Sequence, residues 1–230
     1  MEGSALEKLK IKLLDLLFPP KCPFCGKILK ESETPICGAC QKELPWLTGK
    51  LAEKKVDFTK KCLSPLAYRQ SVRKAVQRYK FSYVRACAVP FGLLMAQCVQ
   101  DQGLTELDGV TWAPLSRKRL RSRGFDQAEL LAREVGKRLD LPVLSTLEKR
   151  RHTPPQSGLT QEAARRANAL GAYSLKSGVP LAGKRLLLVD DVVTSGSTLG
   201  ECARLLSQEG AEVFGLTLAQ ARPDHEKAQQ

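Results

Sequence analysis

The chain has 230 residues, 37 of them Lys or Arg against 24 Asp or Glu, a net charge of +13. That length holds one full α/β domain plus a small module and leaves no room for two large cores, while the charge favours polyanionic partners such as phosphorylated substrates or nucleic acid. No apolar segment reaches about 18 residues, which excludes a membrane-spanning helix. Leu6 to Phe18 is too charged for the apolar core of a signal peptide, and Leu6, Leu9, Leu13, Leu16 and Leu17 form one face of a docking helix that ends at Pro19-Pro20. Two knuckles follow, Cys22-Pro-Phe-Cys25-Gly and Cys37-Gly-Ala-Cys40, separated by eleven residues. Four thiolates at this spacing, with Gly26 and Gly38 permitting the tight bends, predict a tetrahedral Zn2+ site at Cys22, Cys25, Cys37 and Cys40. A site closed by four protein ligands is structural, and soft thiolates favour zinc. Cys62, Cys87, Cys98 and Cys202 are scattered among apolar neighbours, a pattern expected of a reducing compartment.

Lys50 to Lys61 is charged and aperiodic and reads as a linker, dividing a module at 1–60 from a domain at 61–222, with a disordered polar tail at 223–230. A strand is expected around Cys62–Tyr68. The spacing then predicts a helix over Ser71–Phe81, with Val72, Ala75, Val76 and Tyr79 inward and Arg69, Arg73, Lys74 and Arg78 outward on a face that is either solvated or anion-binding. A helix at Val89–Val99 and an apolar strand at Gly109–Pro114 continue an alternation typical of a parallel doubly wound sheet. Ser116 precedes Arg117-Lys118-Arg119-Leu120-Arg121-Ser122-Arg123, five cations in seven residues at a strand's carboxyl end, where ligands bind in open α/β sheets. Arg150-Arg151-His152-Thr153-Pro-Pro-Gln156, continuing to Arg165, Arg166 and Asn168, reads as a loop that closes over a substrate, with His152 simply solvated within it.

Leu186 to Val189 are uniformly apolar and branched, as in a strand buried on both faces, and Leu199, Cys202, Ala203 and Leu206 repeat at helical spacing. Between them lie Asp190, Asp191 and the loop Thr194-Ser195-Gly196-Ser197-Thr198. Backbone N–H groups and hydroxyls at a helix start suit an anion, and two carboxylates suit sugar hydroxyls, so the turn predicts a ribose 5-phosphate site. A last strand is expected over Glu212–Leu218.

The stretch 186–199 resembles the phosphoribosyl pyrophosphate (PRPP) motif of type I phosphoribosyltransferases. Together with the cysteine knuckles, Arg121-Ser-Arg-Gly-Phe-Asp-Gln-Ala128, and Arg151, Thr153, Gln156, Arg166 and Asn168, it resembles the ComF family over nearly the whole chain, with Asp126 where many relatives carry Asn. The resemblance implies a type I phosphoribosyltransferase-like parallel sheet flanked by helices, with a small N-terminal four-cysteine zinc module. It implies that Asp190 and Asp191 are catalytic acids holding the ribose hydroxyls, and that Thr194 to Thr198 bind the 5-phosphate. Mg2+ would be carried largely by the pyrophosphate. Ser116, Arg117, Lys118, Arg121 and Arg123 would take the pyrophosphate, with Arg151, Thr153, Gln156 and Arg166 in the lid. No general base is evident, and the N-terminal 64 residues would supply the hood over the acceptor. The family further implies a cytoplasmic competence protein handling single-stranded DNA beside a helicase; a nucleobase-salvage transferase is the alternative. An aromatic content of 6% gives few stacking platforms for a dedicated single-strand binder.

Overall fold

The branched apolar run at 186–189 forms the middle of β7 (Arg185–Val193), the strand around which the sheet is built. In this computed structural model the described residues are 19–29, 35–81, 85–150 and 171–222. The leading helix at Leu6–Phe18, the lid residues Arg151, Thr153, Gln156 and Arg166 with His152, and the 223–230 tail lie outside them. β7 pairs in parallel with β8 (Glu212–Gln220) on one side and β4 (Gly109–Trp112) on the other. Beyond β8 run β2 (Cys62–Leu63) and β3 (Leu66–Ala67), also parallel to it, and β1 (Glu53–Lys54) closes that edge antiparallel to β2. The strand expected over Cys62–Tyr68 is thus split, because Pro65 has no N–H to give to the ladder.

Past β4 a parallel bridge joins Val110 to Val143. The chain therefore steps from β4 to one side and returns on the other as β7, and the crevice between the carboxyl ends of β4 and β7 is a topological switch point.

Alternation along β7 divides the core. Leu187 and Val189 face a cluster with α2 (Gln70–Phe81), α3 (Ala88–Asp101) and α5 (Gln127–Leu139). Leu186, Leu188 and Val193 face α6 (Ser197–Gln208) and the antiparallel pair β5 (Leu147–Lys149) and β6 (Tyr173–Leu175). The helices match the periodicities closely: Val72, Ala75, Val76 and Tyr79 are all fully buried. So are Cys202, Ala203 and Leu206, and burial pushes the Cys202 thiol well above its ordinary range, as expected of a small apolar core residue.

The segment expected to be a linker contributes structure instead. It carries a 3-10 turn at Gly49–Ala52, then β1, and buries Val56 in the α6 cluster. The cysteine knuckles are likewise not a separate body: α1 (Gly38–Glu43) follows the second, and Phe24, Ile36, Leu44 and Leu47 share a cluster with Phe91 and Met95 of α3. Among the described residues no helix is long and apolar enough to cross a membrane.

Candidate functional site

At its carboxyl end β7 carries Asp190 and Asp191, and the chain then turns through Thr194–Gly196 into α6. Gly196 holds the helix cap at φ +82, a left-handed conformation that glycine takes freely, and a Cβ there would stand 3.2 Å from Val56. The cap residue offers no side-chain acceptor to the first turn. Those N–H groups thus lack the usual Ser or Asp partner and are oriented for an anion. The Ser195 and Ser197 hydroxyls lie 2.7 Å apart at the loop's mouth. Val56 and Asp57 pack on its outer side, at Gly196 and Gly200.

The two acids are not equivalent. Asp191 forms an ion pair with Lys80, Oδ1 to Nζ 2.9 Å, and its own N–H donates to Asp190 Oδ1 at 2.8 Å. Burial and then the Asp191 charge push the Asp190 carboxyl up to about 7. Burial opposes the Lys80 charge, yet the Asp191 carboxylate beside it raises that ammonium above its usual value. Lys80 was not among the expected site residues. Its signal lay in the helix pattern: it continues the inward stripe Val72–Val76, so a charge there requires a buried partner.

The predicted basic run forms α4 (Arg117–Arg123), capped by Ser116, whose Oγ accepts from Arg119 N at 3.5 Å. Ser116, Arg117 and Lys118 line a cavity of about 490 Å³ with Glu148, Lys149 and Arg150. Arg121 is exposed on the helix. Arg123 instead turns inward, donating to Gln127 Oε1 at 2.8 Å and stacking over Phe81 at 4.9 Å. Burial lowers its pKa while Asp191 opposes that shift, so Arg123 is within electrostatic reach of the acids. Gln127 Nε2 is left buried without a partner, an oriented donor beside the crevice.

The turn Pro114–Ser116, which leads into α4, is held from behind. Asp126 Oδ2 accepts from Leu115 N at 2.7 Å, while its Oδ1 caps α5 by accepting from Ala128 N and Glu129 N. Leu115 N–H therefore serves the loop's shape.

Opposite α4 stands the β5–β6 hairpin base, from which the expected lid departs. Lys149 Nζ donates to Tyr173 Oη at 2.8 Å. Burial, then the neighbouring Arg119 charge, lower the Lys149 ammonium. Neither Lys149 nor Tyr173 had been singled out; a lone lysine and a lone tyrosine carry no pattern until the antiparallel register pairs them.

On the far side of α2, the Sγ atoms of Cys22, Cys25, Cys37 and Cys40 all lie within 4.8 Å of one another. A tetrahedral Zn2+ with Zn–S bonds of about 2.3 Å requires sulfurs roughly 3.8 Å apart, so the four fit that ion. Cys37 is pulled down to about 7, chiefly by the Cys40 backbone N–H, which readies one thiolate for metal. All eight cysteines are unbridged.

Residues 13–54 match the double zinc ribbon domain family and residues 122–230 the phosphoribosyl transferase domain family. The chain is 32% identical over 212 residues to competence protein F of Haemophilus influenzae, covering 86% of this chain and 90% of that protein. It is 29% identical over 195 residues to DNA utilization protein YhgH of Escherichia coli, covering 83% and 79%. Over 94 residues it is 35% identical to an adenine phosphoribosyltransferase of Mycobacterium tuberculosis, covering 41% and 42%.

Proposed function

The chain belongs to the ComF family, joining a zinc ribbon to a phosphoribosyl transferase domain, and from that membership we propose that it binds PRPP at the β4–β7 crevice and acts in the handling of incoming single-stranded DNA in the cytoplasm. The observation that carries this reading is the order along β7: two acids at the strand's end, then an uncapped helix start reached through a left-handed glycine, all at the switch point. Thr194 to Thr198 take the 5-phosphate through backbone N–H groups, Asp190 and Asp191 hold the ribose hydroxyls, and Ser116, Arg117, Lys118 and Lys149 face the pyrophosphate. Mg2+ arrives with the ligand, since Asp191 is already paired to Lys80 and Asp190 already accepts from the backbone. Arg151, Thr153, Gln156 and Arg166 close the site, and the exposed cations of α4 give a DNA backbone its counter-charge. A competence helicase is the proposed protein partner.

A second reading is favoured by the identity to an adenine phosphoribosyltransferase across part of the chain. There a base nitrogen forms its bond to ribose C1 as the C1–oxygen bond to pyrophosphate breaks, and the cations stabilise the departing charge. Calorimetric titration with PRPP and Mg2+ tests the shared premise. Wild type binds and the Asp190→Asn/Asp191→Asn double variant does not; a wild type that takes up no PRPP overturns both readings. Pyrophosphate release on adding a nucleobase selects the second.

A further inference from the structure

Arg78 and Lys80 are two residues apart on α2 and so about 200° apart around it. The helix is therefore a shared wall, with the metal module on one side and the sugar acids on the other. Arg78 Nη2 donates to the carbonyls of Pro23 and Phe24, both at 2.7 Å, inside the knuckle that links Cys22 to Cys25. Lys80 reaches Asp191 at 2.9 Å. Between them Tyr79 points into the core, its hydroxyl donating to Gln127 O at 2.9 Å. Its ring meets Phe91 edge-on at 5.5 Å, and Phe91 packs against Phe24 of the same knuckle at 5.6 Å.

This turn is the last described turn of α2 (Gln70–Phe81). A final helical turn frays unless something holds it. Here Arg78 holds it through charge-assisted bonds to two carbonyls whose positions are set by the metal ligands on either side. A metal-loaded knuckle keeps the turn wound and Lys80 against Asp191. A loosened knuckle withdraws the carbonyls and leaves the turn to fray, taking Lys80 with it.

We propose that Lys80 is a positioning residue for the acidic pair and that α2 makes its placement depend on the cysteine module, so that zinc binding and sugar-phosphate binding are energetically coupled. The coupling rests on the ribose-phosphate assignment of Asp190 and Asp191. Because coupling is reciprocal, it is read from both ends. The zinc-loaded full-length protein is titrated calorimetrically with PRPP and Mg2+, and zinc release to a chromogenic chelator is timed with and without that ligand.

Arg78→Met touches no cysteine and no ligand group, and it is expected to weaken PRPP affinity about tenfold, within the usual span of coupling energies, and to speed zinc release. Lys80→Met is expected to weaken PRPP affinity and to abolish the slowing of zinc release by PRPP; Lys80→Arg, which keeps the ion pair, restores both. Unchanged PRPP affinity in folded, zinc-loaded Arg78→Met overturns the coupling while leaving the ribose-phosphate site standing. If the wild type takes up no PRPP, the site assignment falls and the coupling falls with it.

Discussion

Asp190 shows how one carboxyl records its surroundings. Its ordinary value of 3.8 is pushed up to about 7 by burial and by the charge of Asp191. Between those values the folded protein holds this proton more firmly than the unfolded chain does, so raising the pH through that window removes stability. Asp190→Asn carries no such proton, and its melting temperature relative to wild type should rise between pH 5 and pH 8; parallel curves would refute the shift. The acids themselves were legible in the sequence because two adjacent carboxylates after a buried strand exceed what capping needs. Lys80 was legible only in retrospect, as a charge on an inward stripe, because a sequence does not say which stripe end meets a partner. Asp126 lay within a recognised motif, yet its role as brace for Leu115 depends on the two flanks of α4 being brought together and carries no sequence pattern.

At the scale of elements, the helices α2, α3 and α6 were read from the sequence to within a few residues, because their apolar periodicity is local, whereas α1, α4 and α5 were not read as helices. The short strands were read less well, β2 and β3 as one strand over Cys62–Tyr68 and β1 not at all, since β1 leans on β2, and β2 and β3 on β8, far along the chain. The contact between Cys62 and Gly215 shows why. The two residues are register partners, and a Cβ on Gly215 would stand 2.8 Å from the Cys62 sulfur, so this glycine keeps β2 against β8. Gly215→Ala should cost about 1–3 kcal/mol in urea unfolding by overpacking. Adding Cys62→Ala should recover part of that loss, and simple additivity of the two changes would show that they are not in contact. The same reasoning explains the misread segment at Lys50–Lys61: its charges are real, but Ala52 and Val56 are buried and anchor it, and two isolated apolar side chains make no pattern.

Over the whole molecule, the cysteine module and the sheet share a core, since Phe24, Ile36, Leu44 and Leu47 pack with residues of α2, α3 and α5. Removing the metal should therefore lower the melting temperature of the protein as a single cooperative transition. A separate early transition followed by an unchanged main one would show instead that the module melts alone. The pairing of β2 and β3 with β8 also bears on how the chain is made. The seat for residues 62–67 lies about 150 residues further along the chain, Cys62 pairing with Gly215, so at about 5–20 residues per second a nascent chain waits on the order of ten seconds before these strands find their neighbour. Throughout that interval Leu63 and Leu66, fully buried in the finished protein, stand open to solvent and to other chains. The nascent chain thus exposes apolar surface that the finished protein hides, which makes slow closure of these long-range pairs an aggregation hazard during synthesis.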